Sequence, residues 1–154
     1  MSESRTSEAE KPLLLVPPLL TIGKATRALS TIALGKIGLV PGHDVLLDAL
    51  DPERPVTINV LADVINIRPS TASKMIDHLE AKGYVARYRG TVDKRKTMIA
   101  LLPPGIDARE QVHRIWREMD ADLVAALGPD ELRDTRERLE QVRQLLDRRL
   151  RRLR

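Results

Sequence analysis

The sequence predicts a mainly helical protein with one small β-wing, and three observations carry that prediction. Apolar residues recur at helical spacing over most of the chain from residue 19 onward. Only Tyr84–Arg89 and Thr97–Leu102 read as strands, joined by a Gly90–Lys96 turn. The stretch from Ile67 to Leu101 places a short hydroxyl-rich, basic helix, a glycine stop and that hairpin in succession, which is the order of a helix-turn-helix with a wing beside it.

Composition sets the outer bounds. A chain of 154 residues fits one domain plus an appendage, and 42% apolar content suffices for a modest core. With no Phe and only Trp116, Tyr84 and Tyr88 as aromatics, that core must be aliphatic, and base-stacking modes of single-strand binding are disfavoured. The absence of Cys excludes disulfides, thiolate metal sites and thiol redox sensing. His43, His78 and His113 stand far apart with no metal-ligand spacing, so neither a metal nor another cofactor is expected. The N-terminus has no basic patch, and the apolar Leu13–Leu20 run is short and broken by Pro17 and Pro18, so no signal peptide or membrane span is expected and a cytoplasmic protein follows.

Taken in order, residues 1–18 are expected to form a mobile arm: 1–11 are polar without periodicity, and Pro12, Pro17 and Pro18 delay any helix. Residues 19–39 hold a first helix starting near Leu19, with Ile22, Ala25, Leu29, Ile32 and Ala33 on one stripe and Gly35 and Gly38 as its stop. Within 40–102, Pro41 suits the start of a second helix carrying Val45, Leu46, Ala49 and Leu50, which Asp51-Pro52 ends. Thr57 can cap a third helix with Val60, Leu61, Val64 and Ile65. Pro69 then opens a fourth whose inward stripe is Ala72, Ile76 and Leu79 with Met75, closed by Gly83 in left-handed geometry. Residues 103–154 are wholly helical. Pro103, Pro104 or an Asp107/Glu110 capping box starts one helix, and Gly128-Pro129 separates a last one. Its Leu132, Thr135, Leu139, Val142 and Leu146, with Leu153 a heptad further on, form a coiled-coil-like seam.

Charge gives the fourth helix and the hairpin their chemistry. Between Ile65 and Ile99 stand eight bases (Arg68, Lys74, Lys82, Arg87, Arg89, Lys94, Arg95, Lys96) and three acids (Asp77, Glu80, Asp93), a net of +5. The whole chain is +4 from 26 bases and 22 acids, which leaves 18 bases and 19 acids elsewhere, a net of −1. The basic excess is thus read as confined to one segment, the footprint of a phosphate-binding surface. Hydroxyl residues are mediocre helix formers, so Ser70, Thr71 and Ser73 on a short helix need a reason beyond capping: they can donate to phosphates or base edges without blocking close approach. A solvated face is the bland alternative for the charges.

Here the chain resembles the MarR family of winged helix-turn-helix regulators. The residues carrying the resemblance are Gly38-Leu39-Val40-Pro41-Gly42-His43 running on to Leu50, Leu61-Ala62-Asp63, Pro69-Ser70-Thr71 running on to Gly83, and the wing signature Asp93-Lys94-Arg95. The resemblance covers nearly everything from Leu19 onward. It implies a homodimer whose first (19–39) and last (103–154) helices form a dimerisation platform, with one winged domain (40–102) per subunit on a palindromic duplex operator. By matching position, Arg95 is implied as a minor-groove arginine with Asp93 as its orienting partner, and Ser70, Thr71, Ser73 and Lys74 as major-groove residues. A narrow minor groove concentrates negative potential and attracts a guanidinium, which agrees. Arg68, His78, Arg87, Arg89, Lys94 and Lys96 complete the expected DNA-facing set. Two departures stand out: Leu101-Leu102-Pro103-Pro104-Gly105 replaces the usual Leu-Thr-x-x-Gly junction after the wing, and Arg68 replaces a small residue before the helix proline.

The expected function is a sequence-specific dimeric transcriptional regulator, a repressor relieved by a small aromatic or apolar ligand near His43 and Trp116, as the resemblance implies. The alternatives are a winged-helix protein-interaction module or a constitutive DNA binder without ligand sensing. An enzyme is not expected, because no nucleophile-base pair, glycine-rich phosphate loop or carboxylate pair in a recognisable setting is present.

Overall fold

In the computed structural model, which describes residues 14–90 and 95–153, the elements follow as α1 (Val16–Gly35), α2 (His43–Ala49), β1 (Val56–Thr57), α3 (Ile58–Val64), α4 (Pro69–Ala81), β2 (Val85–Arg89), β3 (Thr97–Leu101), α5 (Pro103–Ala126) and α6 (Pro129–Arg151). The three strands form one antiparallel sheet in the order β1-β3-β2. Its register runs from Val85 opposite Leu101 to Arg89 opposite Thr97, with Val56 opposite Ile99 on the other edge. The mainly helical fold with a small wing is therefore as expected. Among the described residues no helix is long and apolar enough to cross a membrane.

Several boundaries differ from expectation for local reasons. α1 starts at Val16, not near Leu19, because Pro17 and Pro18 occupy its first turn, where a missing N–H satisfies no helical bond and costs nothing. Val16–Pro18 are thus helix and not arm; residues 1–13 of the expected arm lie outside the described residues. α2 starts at His43, two residues after Pro41, with the Gly42 N–H donating to Asp44 Oδ1 at 2.7 Å. The strand β1 went unrecognised because two residues give no period. Thr57 caps α3 as expected, its Oγ1 accepting from Val60 N at 3.3 Å. On that helix, however, Leu61 and Ala62 are buried while Val60 and Val64 are exposed.

The core is an aliphatic stack between α2, α3, α4, the sheet and the first half of α5. Leu46, Leu47, Leu50, Leu61, Ile76, Leu79, Val85, Ile99 and Val112 are each at most 1% exposed, and full burial of such a side chain stabilises by about 1.5–3 kcal/mol. Leu34 is the single buried apolar residue of α1 and ties that helix to the stack. Beyond it the terminal helices present apolar faces to solvent. Ile22, Leu29 and Ile32 of α1, Leu123 and Val124 of α5, and Leu139, Leu145, Leu146 and Leu150 of α6 are all exposed, and α6 has no buried residue.

The junction after the wing shows how two prolines replace a threonine cap. Leu102 is the N-cap of α5 with no side-chain cap bond, and Pro103 and Pro104 fill the first two helical positions, so two orphan N–H groups do not exist to be capped. The Leu102 N–H donates to the Tyr84 carbonyl at 2.9 Å. This draws the helix start so close to β2 that a Cβ at Gly105 would collide with that same carbonyl. Gly105→Ala should therefore destabilise the fold by about 3 kcal/mol, read as a Tm lowered by roughly 6–12 °C in a thermal melt; a melt within a degree of the parent would mean that the junction yields.

Candidate nucleic-acid interface

The turn between α3 and α4 is built from local backbone preferences. Asn66 adopts φ 55, a left-handed conformation that asparagine tolerates, and Ile67 N–H donates to Ala62 O at 2.9 Å to end α3. Pro69 holds the preceding Arg68 extended (φ −75, ψ 143), so Arg68 becomes the N-cap of α4. Burying Ala72, Ile76 and Leu79 at 0% exposure then fixes the rotation of α4. Ser70, Thr71, Lys74, Asp77 and His78 are left exposed, while Ser73 is half-buried at the helix edge. Gly83 closes the helix at φ +71, as the sequence indicates.

The wing stands beside this face. Arg89 pairs with Thr97 at its outer end, and Gly90 N–H donates to Lys96 O at 2.9 Å to close the hairpin. Arg89, Arg95 and Lys96 are exposed. Arg95, Lys96, Ser73, Pro69 and Asn59 line one open cleft of about 580 Å³ between the wing and the starts of α3 and α4. The structure thus brings together Arg95, Lys96 and the α4 edge; Asp93 and Lys94 lie outside the described residues.

Arg87, expected to face outward with the other bases, is turned onto α4. Its guanidinium lies 2.6 Å from Asp77 and 2.6 Å from Glu80, and donates to the Ser73 carbonyl at 3.0 Å. Partial burial opposes its charge, but the hydrogen bonds and charges of Asp77 and Glu80 outweigh that and hold it above its ordinary pKa. Two consequences follow. The wing's first strand is pinned to the helix, and the two acids of α4 have half of their charge offset from within, so that Arg68 and Lys74 tip the sign of the outer face.

His43 and Trp116 are positioned by a carboxylate that went unnoticed in the sequence. Asp44 takes the Gly42 N–H on one oxygen and the Trp116 Nε1–H, at 3.3 Å, on the other, which joins α2 to α5. Four residues on, Asp48 lies 2.7 Å from His113 Nε2 and repeats the tie one turn along. The signal was present as Asp44 and Asp48 at i, i+4 on a short helix, but their partners lie 72 and 65 residues away. His43 is 5% exposed, its Nδ1 has no hydrogen-bond partner, and its ring meets His78 of α4 edge-on at 5.8 Å. Burial first, then His78 and Lys82, depress its pKa against the opposing pull of Asp44.

Because folded His43 stays neutral where the unfolded chain takes up a proton, its contribution is present above pH ~6.5 and is lost as pH falls through the depressed value. The urea midpoint should drop between pH ~7.5 and ~5.5, and His43→Gln should shrink that drop whatever it does to absolute stability; an unchanged drop would place the acid sensitivity elsewhere.

Known proteins share this architecture. A sequence model of the MarR family matches residues 43–97. A protein of Thauera aromatica named as a transcriptional regulatory protein for the hcr operon is 26% identical over 94 residues, which cover 61% of this chain and 57% of that protein. The chain therefore spans little more than half of that relative. The crystal structure of Staphylococcus aureus MepR in complex with DNA superposes with a TM-score of 0.76 at 21% identity, covering 86% of this chain and 98% of that one. A mutant of Escherichia coli MarR complexed with operator DNA gives 0.74 at 22% identity, covering 83% and 92%. These two likenesses establish the fold, and the segment that resembles the MarR family runs from the first residue of α2 to the first residue of β3.

Proposed function

We propose that this chain is a homodimeric, sequence-specific regulator of transcription that binds duplex DNA and acts as a repressor. The observation that carries the reading is the exposed α4 face, its acids Asp77 and Glu80 both drawn onto Arg87, set beside a cleft holding Arg95 and Lys96. The family match supports it, as do the DNA complexes of the two solved relatives. In this reading Ser70, Thr71 and Lys74 meet the major groove, with Ser73 at its edge and Arg68 and His78 at the flanking backbone. Arg95, which Asp93 and Lys94 precede in the sequence, enters the adjacent minor groove, and Arg89 and Lys96 hold phosphates. Arg87 acts from behind as a positioning residue. The reading is of a binding protein and not an enzyme, in keeping with a family of transcription regulators.

The apolar faces of α1, α5 and α6 support a second copy of the chain as their occupant, since the α6 seam repeats at the spacing of a helix pair and none of the described residues of its own chain buries it. Residues 19–39 and 103–154 are then the dimer platform and 40–102 the reading head. Ligand relief is part of the proposal: the buried, unpartnered Nδ1 of His43 beside the Asp44–Trp116 bond supports a small aromatic or apolar acid seated between α2 and α5. It would act by favouring a dimer whose heads are mis-spaced, and aromatic acids added to an operator titration would then weaken binding.

On a genuine operator Arg95→Ala should weaken binding by ~1–3 kcal/mol, and Lys74→Ala should flatten the salt dependence by about one unit. Unchanged titrations for both variants would end the assignment of wing and helix. Leu146→Asp should place an unpaired charge in the subunit seam at a cost of several kcal/mol. Light scattering should then report monomers, and a palindrome with half-sites ~34–36 Å apart should lose its high-affinity complex.

A further inference from the structure

We infer that the C-terminal end of α6 is a second DNA-backbone contact, built against the helix-turn-helix of its own chain; this rests on the DNA-binding reading above. The net charge of −1 outside residues 65–99 conceals an uneven distribution. The last seven residues hold five arginines and no acid, so the basic excess is not confined to one segment. The helix dipole rewards cations in a last turn, but it does not require four in a row of five residues, nor does it place them anywhere in particular.

The structure gives them a place. Asn66, the left-handed residue of the helix-turn-helix, donates through Nδ2 to Asp147 Oδ1 of α6 at 2.7 Å, across 81 residues of sequence. Asp147 is held in turn by Arg143 at 2.6 Å. This tether seats the end of α6 against the start of α4, where Arg151 and Arg68 line the same cleft of about 360 Å³. Arg148 lies one turn back beside Arg151 in an adjoining groove with Asp147. None of the ion pairs among the described residues engages Arg148, Arg149, Arg151 or Arg152, and all four side chains are exposed.

Arg68 is the N-cap of α4, and the N-terminal end of such a helix is the end that approaches the groove in helix-turn-helix complexes. A cation sharing a cleft with Arg68 therefore faces the phosphates that border that groove, and neighbouring phosphates on one strand favour a line of guanidinium groups over a single one. The chemistry is sequence-independent: a backbone clamp that adds affinity and salt dependence without adding base readout.

The test uses a duplex selected by the full-length wild-type protein from a random-sequence pool, titrated at several salt concentrations. Arg148→Gln/Arg151→Gln should flatten the salt slope by about one to two units, roughly one for each phosphate left without its arginine, while leaving the ranking of mutated operators unchanged. Arg149→Gln removes one charge from a different side of α6 and should leave the slope nearly where it was. Equal slopes for wild type and the double variant would overturn the inference, as would a loss in Arg149→Gln of half the double variant's or more, which would mark a mere effect of net charge. A double variant that scatters light as a monomer would assign the arginines to the subunit contact and overturn it too. A wild type that selects no duplex would overturn the DNA-binding reading itself.

Discussion

The guanidinium of Arg87 is the joint on which the surface formed by α4 and the wing depends. A two-stranded wing is marginal on its own, and here its inner edge is held by β1 and the core while its first strand is fastened to α4 through two carboxylates and a carbonyl, all served by one side chain. A planar cation with five donors on a rigid fork reaches these three acceptors from two different nitrogens, where a lysine would have to gather all three around one. The wing and the helix therefore move as one body. The acids that accomplish this, Asp77 and Glu80, would be liabilities on the phosphate-facing helix proposed above were they not already paired.

How much of this was legible in the sequence varies by element. Where a helix buries a clean stripe, the reading succeeds residue by residue: Ala72, Ile76 and Leu79 are all fully buried, and Thr57 and Gly83 end their elements as their chemistry dictates. It fails where prolines are taken as breakers, since Pro17 and Pro18 begin α1 by the same property that bars them from a helix interior. Where an apolar stripe meets none of the described residues, only the stripe is legible: Ile22, Leu29 and Ile32 keep helical spacing on α1 yet stay exposed, because periodicity reports that a face is to be covered and not by what. The candidate site was legible as a set of bases and hydroxyls, but not as a geometry. That Arg87 points inward, that Asp44 serves Trp116 and that Asn66 reaches Asp147 are pairings between distant positions, and a single sequence holds no record of distance.

The polar ties between layers share one design. Asp44 to Trp116, Asp48 to His113 and Asn66 to Asp147 each join the winged helix-turn-helix part to a long terminal helix through one carboxylate. Such bonds are individually modest, of order 1 kcal/mol net, but they are directional where the aliphatic core is not. A leucine-rich stack without phenylalanine can slide by small increments at little loss; three fixed bonds at its border choose one register among those the stack would accept.

The contact of Gly105 with the Tyr84 carbonyl has a mechanical meaning. It fuses the root of α5 to the base of the wing, so that no hinge separates the hairpin from the helix that leaves it. A helix of 24 residues is a rod of ~36 Å. Pivoted at its welded end, such a rod needs a tilt of only about 5° to carry its far tip through ~3 Å. The reverse holds as well: a displacement of that size at the far end of α5 returns to the wing as rotation and not as bending, which makes the junction a gear between two distances and not a flexible coupling.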